Sequence, residues 1–139
     1  MTENNEIKQG GCLCGNIRYS FSGNPLLTAI CHCTHCQRQS GSAFSIIAAV
    51  SKADFAQKGE CKTYFDKGES GNIVERHFCG NCGSPMYSLS EGLPEMVLIK
   101  AGTLDDASSL RPEIEVYCGS AMPFTLLLDD TEKFQKSNL

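Results

Sequence analysis

Apolar and polar residues alternate in short runs along most of the chain, with turn-forming residues between the runs. Ile17, Tyr19 and Phe21 each have polar neighbours, which is the pattern of a strand with one buried face. Residues 44–50 are mostly apolar and of strand length, so they predict a strand buried on both faces. Further short strands are predicted over residues 61–65, 73–78, 85–89, 95–100 and 114–117. Together these runs predict a mainly β domain.

Helical signals are few and short. Ser51 and Asp54 have the spacing of a capping box, which predicts one helical turn that continues to Phe55. Residues 104–110 could hold a second single turn. No stretch has the length and period of a long amphipathic helix.

The length of 139 residues is within the range of one domain and suffices for one hydrophobic core. We expect a single domain over residues 10–128, with a flexible N-terminus at residues 1–9 and a C-terminal tail at residues 129–139. The first residues hold no basic cluster followed by an apolar run, and no run approaches the ~20 apolar residues that cross a bilayer. The sequence therefore predicts a soluble, cytoplasmic protein with no membrane partner.

Charge and cysteine content reduce the number of possible function classes. The formal net charge is −4 and no block of basic residues occurs, so we expect no nucleic-acid partner. Nine cysteines are a large excess, and an odd number in a reducing compartment favours metal ligation over a disulfide framework. The alternative, a secreted domain held by disulfides, has no signal peptide to support it.

Seven of the nine cysteines form three close clusters: Cys12 with Cys14; Cys31, Cys33 and Cys36; Cys79 with Cys82. If the first pair lies on one strand, the period of two directs both sulfurs to one face. The last pair, followed by Gly83, resembles a zinc knuckle, in which a tight turn aims two thiolates at one ion. The simplest partition joins the two pairs into one closed four-thiolate structural site and leaves the triplet as a separate three-thiolate site.

Two interpretations of the triplet remain open. In one, Cys31, Cys33 and Cys36 hold a catalytic zinc with a free fourth position. In the other, the site is structural and closed by a fourth ligand, for which the candidates are His32, His35, His77, Cys61 and Cys118. An open site would accept a soft sulfur ligand, and a thiol bound there would lose its proton and become a nucleophile. Such a site makes or breaks carbon–sulfur bonds.

Charged residues near the clusters are candidates for substrate binding. Arg38 could attract the carboxylate of an anionic substrate. Arg76 could do the same, although we prefer to interpret it as a solvated surface arginine. His32 and His35 could orient sulfurs or transfer protons, or be ordinary polar loop residues. The cysteines outside the clusters are expected to be buried and inert if they are not ligands: Cys61 and Cys118.

Three ordered motifs resemble those of the glutathione-dependent formaldehyde-activating enzyme family, whose domain is also found in centromere protein V. They are GCLCGNIRY at residues 11–19, CHCTHCQRQSGSAF at residues 31–44 and FCGNCGSPM at residues 78–86. The resemblance spans roughly residues 10–125. It implies a mainly β fold of the β-tent type, with several short antiparallel strands and one or two short helical turns.

The resemblance also implies two zinc ions per chain. The structural zinc of the family is held by the pairs that match Cys12, Cys14, Cys79 and Cys82, and the catalytic zinc by the triplet that matches Cys31, Cys33 and Cys36. The activity that names the family is condensation of glutathione with formaldehyde to S-(hydroxymethyl)glutathione, classed as a carbon–sulfur lyase for the reverse direction.

We therefore expect a zinc-dependent carbon–sulfur lyase that activates a glutathione-like thiol and adds it to, or releases it from, a small aldehyde. The alternative is a non-catalytic, zinc-stabilised module that carries a thiol or docks on a protein. A methionine sulfoxide reductase would need two C-x-x-C pairs for its zinc, and the C-x-C spacing argues against that class.

Overall fold

The computed structural model describes residues 6–137, and strands are the main regular structure in them. The strands are β1 (Ile7–Gly11), β2 (Arg18–Ser22), β3 (Leu27–Cys31), β4 (Ser45–Ser51), β5 (Phe55–Lys58), β6 (Lys62–Lys67), β7 (Ile73–Phe78), β8 (Pro85–Ser90), β9 (Met96–Lys100), β10 (Ile114–Val116) and β11 (Glu132–Lys133). The helix is α1 (Thr34–Ser40), and short 3₁₀ turns are formed by Lys52–Asp54, Ala101–Thr103 and Cys118–Ser120. The prediction of a mainly β fold is confirmed.

The strands form two sheets. The smaller sheet is antiparallel with strand order β1-β2-β5. The larger has the order β11-β10-β3-β4-β9-β8-β7-β6 and is antiparallel except where β10 pairs with β3 and with β11. Among the described residues, no helix is long and apolar enough to span a membrane.

The main core lies between the two sheets. Phe55 of β5 stacks on Tyr19 of β2 with ring centroids 5.6 Å apart, and its edge meets Tyr87 of β8 at 5.2 Å. The aliphatic side chains that join them are fully buried: Ile17, Ala48, Val50, Met86, Val97 and Ile99. This core occupies one face of the larger sheet and includes Cys12 and Cys79. On the other face, Ile47 packs against Cys31, Cys33 and Cys36.

β4 is the strand expected to be buried on both faces. Ala48, Ala49 and Val50 fulfil that expectation, whereas Ile46 is 37% exposed. β4 is therefore buried on both faces over Ala48–Val50, while Ser45 is also buried and Ile46 reaches solvent.

α1 is an element that the sequence did not predict. Cys33 caps its N-terminus, because the Cys33 sulfur accepts a hydrogen bond from the Cys36 N–H at 3.2 Å. Gly41 ends it in the left-handed conformation, with φ of +64°. A helix of seven residues is too short for a clear apolar period, and cysteine is not among the usual N-cap residues.

The two predicted helical turns had different outcomes. Ser51 caps a 3₁₀ turn over Lys52–Asp54 by accepting from the Ala53 N–H at 3.3 Å. The predicted turn is present but ends before Phe55, which begins β5. Residues 104–110 contain no helix, but they do hold one turn. Leu104 forms an isolated β-bridge with Gly10, and the Leu110 N–H then donates to the Ala107 carbonyl at 3.1 Å to close a turn.

Strand pairing extends into both terminal segments that the sequence analysis set outside the domain. β1 begins at Ile7, and β11 at Glu132–Lys133 pairs in parallel with β10. The C-terminal segment is therefore attached to the edge of the larger sheet. Residues 1–5 and 138–139 lie outside the described residues.

Glu115 in β10 is 1% exposed and connects three parts of the chain. One carboxylate oxygen lies 2.8 Å from His32 Nε2, and the other accepts from the Leu128 N–H at 2.9 Å and the Thr131 hydroxyl at 2.6 Å. Burial alone would raise the pKa of Glu115, but the hydrogen bonds from Thr131 and His32 outweigh it and lower the pKa. The ionised carboxylate thus fastens the C-terminal segment to the residues that follow β3.

We expect Glu115→Gln to lower the free energy of unfolding at pH 7 by about 3 kcal/mol, because it disrupts a buried charged network. The folded pKa of Glu115 is depressed, so its contribution is full above the unfolded value of about 4.3 and is lost as the pH falls through the folded pKa. In urea unfolding, the gap between variant and wild type should therefore be full at pH 7 and narrow below about pH 4.

Glu113→Gln is the matched control, because Glu113 is an exposed carboxylate two positions earlier. Its cost should stay below about 0.5 kcal/mol. Equal losses in the two variants would contradict the role assigned to Glu115.

Candidate metal centres

The two outer cysteine pairs come together in the fold. The Sγ atoms of Cys12, Cys14, Cys79 and Cys82, here called the four-sulfur cluster, lie within 4.8 Å of one another. Cys14 Sγ is 3.6 Å from Cys12 Sγ and 3.7 Å from Cys79 Sγ, although Cys14 and Cys79 are 65 residues apart in sequence. The cluster therefore ties the β1–β2 hairpin to the turn between β7 and β8.

The condition considered for the first pair, that Cys12 and Cys14 lie on one strand, is not met. β1 ends at Gly11, and both cysteines lie in the turn that leads to β2. The Gly15 N–H donates to the Cys12 carbonyl at 3.1 Å, and Gly15 has φ of +83°, which suits glycine. A tight turn, and not strand alternation, aims the two sulfurs at one point.

The other half of the cluster is a second tight turn. The Gly83 N–H donates to the Cys79 carbonyl at 2.9 Å, and Gly83 has φ of +80°. The N–H groups of Asn81 and Cys82 lie 3.4 Å and 3.5 Å from Cys79 Sγ. Such N–H···S bonds stabilise negative charge on sulfur, which a metal-bound thiolate carries.

The central cysteines form a separate three-sulfur cluster. Cys31, Cys33 and Cys36 are all buried, and their Sγ atoms lie within 4.8 Å of one another. Cys31 ends β3, Cys33 caps α1 and Cys36 lies in the first turn of α1. Among the described residues, no other cysteine, histidine or carboxylate joins this group at that distance. The structure thus brings together the same two sets of sulfurs as the partition made from spacing.

The histidines considered as a fourth ligand have other partners. His32 is 1% exposed and is held by Glu115, with its ring edge against Phe44. Nδ1 of His35 lies 2.9 Å from a carboxylate oxygen of Asp66. The ring of His77 stacks on a tyrosine of β8, with centroids 4.6 Å apart.

The two cysteines outside the clusters are half-buried, which differs from the expected full burial. Cys61 Sγ lies 3.8 Å from Gln57 Nε2, and the Cys118 thiol lies 3.5 Å from the Glu115 carbonyl. Neither belongs to a metal-binding group among the described residues.

Hydrogen bonds among the three sulfurs shift the pKa values of Cys31 and Cys36 in opposite directions. The pKa of Cys36 is lowered by hydrogen bonds from Cys31 and Cys33, and then by the charges of Lys100 and Arg76. The pKa of Cys31 is raised by its hydrogen bonds to Cys33 and Cys36 and by burial. Three thiolates this close repel one another, so they ionise together only around a cation.

Arg76 is not the solvated surface arginine that the sequence suggested. It is 6% exposed, and its Nη1 lies 3.8 Å from Cys36 Sγ. Its Nε and Nη2 donate to one oxygen of Asp66 at 3.3 Å and 3.1 Å. Burial would raise the pKa of Asp66, but the hydrogen bonds from His35 and Arg76 lower it. Arg76 therefore brings a paired positive charge to the edge of the three-sulfur cluster.

Lys100, the last residue of β9, is a second buried cation that the sequence analysis missed. It is 7% exposed, and its Nζ donates to the Ser45 hydroxyl at 2.8 Å. Burial lowers the pKa of Lys100, while the thiolate of Cys36 opposes that shift. The sequence does show a lysine at the end of an apolar strand. A lysine at such a position is usually exposed, so its burial was not expected.

Tyr117 follows β10 and packs against the three-sulfur cluster. With φ of +56°, it is the only non-glycine residue with positive φ among those described. Holding a tyrosine in this conformation costs on the order of 1–3 kcal/mol, and such outliers often mark functional sites. Burial and the thiolates of Cys31 and Cys33 raise the pKa of Tyr117, so its hydroxyl stays protonated at neutral pH.

A groove of about 580 Å³ lies between α1 and the β6–β7 hairpin. Arg38 is on its α1 wall and is exposed, while Arg76 on its floor reaches Cys36. The residues that line the groove are Thr34, His35, Arg38, Gln39, Tyr64, Asp66 and Arg76.

Both clusters have the donor set of a zinc site. Thiolate is a preferred zinc ligand, and backbone N–H groups point at sulfur in each cluster, as the Ile17 N–H does toward Cys12 Sγ at 3.2 Å. Four sulfurs suit a closed tetrahedral site, whereas three leave one position for another ligand. Both groups could hold metal ions and are consistent with zinc.

Comparison with known proteins places this chain among relatives of one family. Residues 7–120 match the sequence model of the family described as glutathione-dependent formaldehyde-activating enzyme. A Halomonas elongata protein named "Putative glutathione-dependent formaldehyde-activating enzyme" is 28% identical over 112 residues, which are 77% of this chain and 71% of that protein. A Fusarium vanettenii protein of the same name is 27% identical over 58% of this chain and 44% of its own length.

An uncharacterized lyase of Schizosaccharomyces pombe is 28% identical over 57% of this chain and 55% of its own length. The chain thus spans about half the length of the two fungal relatives. A crystal structure of a Rhodobacter sphaeroides protein superposes with a TM-score of 0.54 at 19% identity, over 75% of this chain and 91% of that one. That structure shares the fold.

The fold and the site define a small, mainly β protein with two cysteine clusters suited to metal ions. The chain belongs to the glutathione-dependent formaldehyde-activating enzyme family, since the family match covers residues 7–120. At the level of the family, its members include proteins named as lyases and as formaldehyde-activating enzymes.

We expect the two clusters to respond differently to the loss of one sulfur. Cys79→Ser should unfold the domain, because a structural zinc contributes about 10–16 kcal/mol, comparable with the whole stability of a domain. Cys33→Ser should remain folded and lose one metal ion. Native mass spectrometry and thermal melting measure the two effects.

Cys61→Ser is the control, since this cysteine belongs to neither cluster. An unchanged melting transition in Cys79→Ser would contradict the structural assignment. Unfolding of Cys33→Ser would mean that the three-sulfur cluster is structural as well.

Proposed function

We propose that this protein makes or breaks a carbon–sulfur bond between a glutathione-like thiol and a small aldehyde at the three-sulfur cluster. In the forward direction the thiol sulfur bonds to the carbonyl carbon, and the thiol proton ends on the carbonyl oxygen. With glutathione and formaldehyde, the product is S-(hydroxymethyl)glutathione. The reverse reaction returns the proton to sulfur and releases the aldehyde.

The observation that carries this proposal is a set of three buried sulfurs with no fourth ligand among the described residues, next to a groove open to solvent. Cys31, Cys33 and Cys36 are proposed as the catalytic metal ligands, and the four-sulfur cluster as the structural site. A zinc ion on the three sulfurs would supply a position for the substrate sulfur and favour its ionised form. The proposal is therefore two zinc ions per chain.

Residues of the chain would position the thiol. Arg38 is exposed on the groove wall, where its guanidinium could pair with a carboxylate of a glutathione-like substrate. Arg76 is buried and placed between Asp66 and Cys36, so its charge faces the sulfurs and not the solvent. A fixed cation there stabilises negative charge that accumulates on sulfur.

The cellular setting follows from the cysteines. All nine are free, and seven of them lie in clusters that oxidation would disable. A reducing compartment preserves them, so we place the protein in the cytoplasm, where thiols such as glutathione are abundant.

The proposal is tested by mixing the zinc-loaded protein with glutathione and formaldehyde. Formation of S-(hydroxymethyl)glutathione is followed by NMR. Wild type should exceed the uncatalysed rate, and Cys33→Ser should reduce the excess to background. Saturable glutathione binding without turnover in the wild type would identify a thiol carrier and refute the enzymatic proposal.

Arg38→Ala should raise KM for glutathione about tenfold, or about 1.4 kcal/mol, with kcat changed less than twofold, because the guanidinium contacts a part of the substrate that does not react. Arg38→Lys should recover part of the loss. Arg111→Ala is the control, since Arg111 is exposed and lies outside the groove. An unchanged KM in Arg38→Ala would remove Arg38 from the substrate site.

A further inference from the structure

A second cavity, of about 400 Å³, is lined by Ser45, the residue that pairs with Cys31 across β3 and β4, and also by Ser84 and Pro85 at the start of β8. It lies at the C-terminal end of α1 and the adjoining ends of β4 and β9. Hydroxyl groups dominate its polar lining, and the residues that carry the argument are Ser40, Ser42, Ser45, Phe44, Lys100 and Thr103. The cavity shares no residue with the groove that holds Arg38.

Lys100 connects this cavity to the sulfurs. It pairs with Ile47 across β4 and β9, and Ile47 packs against the three-sulfur cluster. Ser45, the hydrogen-bond partner of Lys100, pairs with Cys31 on the neighbouring strand. Residues directly opposite in antiparallel strands share a face of the sheet, so Lys100, Ser45 and Cys31 lie on the same side.

The Lys100 ammonium has bonding capacity that the protein leaves unused. It carries three N–H donors, and among the described residues its acceptor is the Ser45 hydroxyl at 2.8 Å. No carboxylate among the described residues forms an ion pair with it, although it is only 7% exposed. A buried ammonium without a carboxylate is costly. Lys100 lines the cavity, so a ligand there could accept from its remaining donors.

A fixed cation at this place suits an oxygen that gains negative charge. When a thiol sulfur adds to a carbonyl carbon, charge develops on the carbonyl oxygen. A donor held in a buried site stabilises that charge without reorganising. Ser45 holds Lys100 in position, and the cavity is large enough to admit a short aldehyde.

We propose that Lys100, positioned by Ser45, binds the carbonyl oxygen of the aldehyde, which enters through the cavity while the thiol enters through the groove. The sulfur–carbon bond forms as the carbonyl π electrons move to the oxygen. The hydrogen bond from Lys100 to that oxygen becomes shorter and stronger as the negative charge develops. The proton lost by the thiol is the one that the oxygen finally carries. This inference rests on the proposed function, because it assigns the second substrate of that reaction.

Formate is a suitable probe, since it is planar, small and bears the oxygen charge without reacting. Calorimetric titration of the full, zinc-loaded chain with formate should show one saturable site, weakened at least tenfold in Lys100→Met and less than threefold in Lys100→Arg. Lys52→Met, at an exposed lysine, is the matched control and should bind as wild type does.

Steady-state kinetics supply the second readout. Lys100→Met should raise KM for formaldehyde or lower kcat, for a loss of at least tenfold in kcat/KM, with the dissociation constant for glutathione within twofold of wild type. Arg38→Ala should show the opposite division, with glutathione binding weakened and formate binding kept. Zinc content and melting temperature confirm that each variant is folded and loaded.

Equal formate affinity in wild type and Lys100→Met would overturn the inference, as would absence of formate binding in the wild type. Loss of zinc or of glutathione affinity in Lys100→Met with formate binding intact would overturn it too, because Lys100 would then serve only as counter-ion to the sulfurs. If formate binding depends on Lys100 but the wild type shows no turnover, the oxyanion site stands and the proposed reaction fails.

Discussion

Three sulfurs held within 4.8 Å of one another in a buried site are the constraint on which the rest of the structure depends. Thiolates at that separation repel strongly, and burial adds the cost of desolvation. The fold offsets part of these costs with positive charge. Arg76 and Lys100 are brought to the cluster from two different strands of the larger sheet, and the hydrogen bonds of Cys36 concentrate the negative charge on that sulfur.

The two faces of the larger sheet have different roles. One face of the larger sheet packs on the smaller sheet and forms the apolar core, and the four-sulfur cluster joins the two sheets at one end. The other face carries Cys31, Lys100 and Arg76 beneath α1, so the chemistry is built on rigid strands. Cys33 at the N-cap and Cys36 within α1 supply the remaining sulfurs.

Local patterns in the sequence were enough to predict most strands and the division of the sulfurs. Alternation over residues 17–21 and the apolar run in β4 reflect burial on strand faces, which is a local property of the chain. We considered the C-x-C pair on a strand, because alternate residues of a strand direct their side chains to the same side. A tight turn can also direct both sulfurs to the same side. Only Gly15 with positive φ distinguishes them, and φ is not visible in a sequence.

The buried charges were not predictable in the same way. Arg76 and Lys100 look like ordinary polar positions of strands until α1 and neighbouring strands cover them. Glu115 and His32 are 83 residues apart, and their pairing depends on the parallel contact between β10 and β3. Each of these contacts joins distant parts of the chain, so no single stretch of sequence records it.

The spacing of the sulfurs also bears on how the protein is made. All three members of the inner cluster leave the ribosome within six residues of one another, whereas the outer cluster waits for Cys82. During synthesis the inner site is therefore complete long before the domain can close. A nascent chain would expose three thiols to cellular metal ions and oxidants while the last cysteines of the four-sulfur cluster are still inside the exit tunnel. The rate of translation between Cys36 and Cys82 therefore sets how long those thiols stay unprotected.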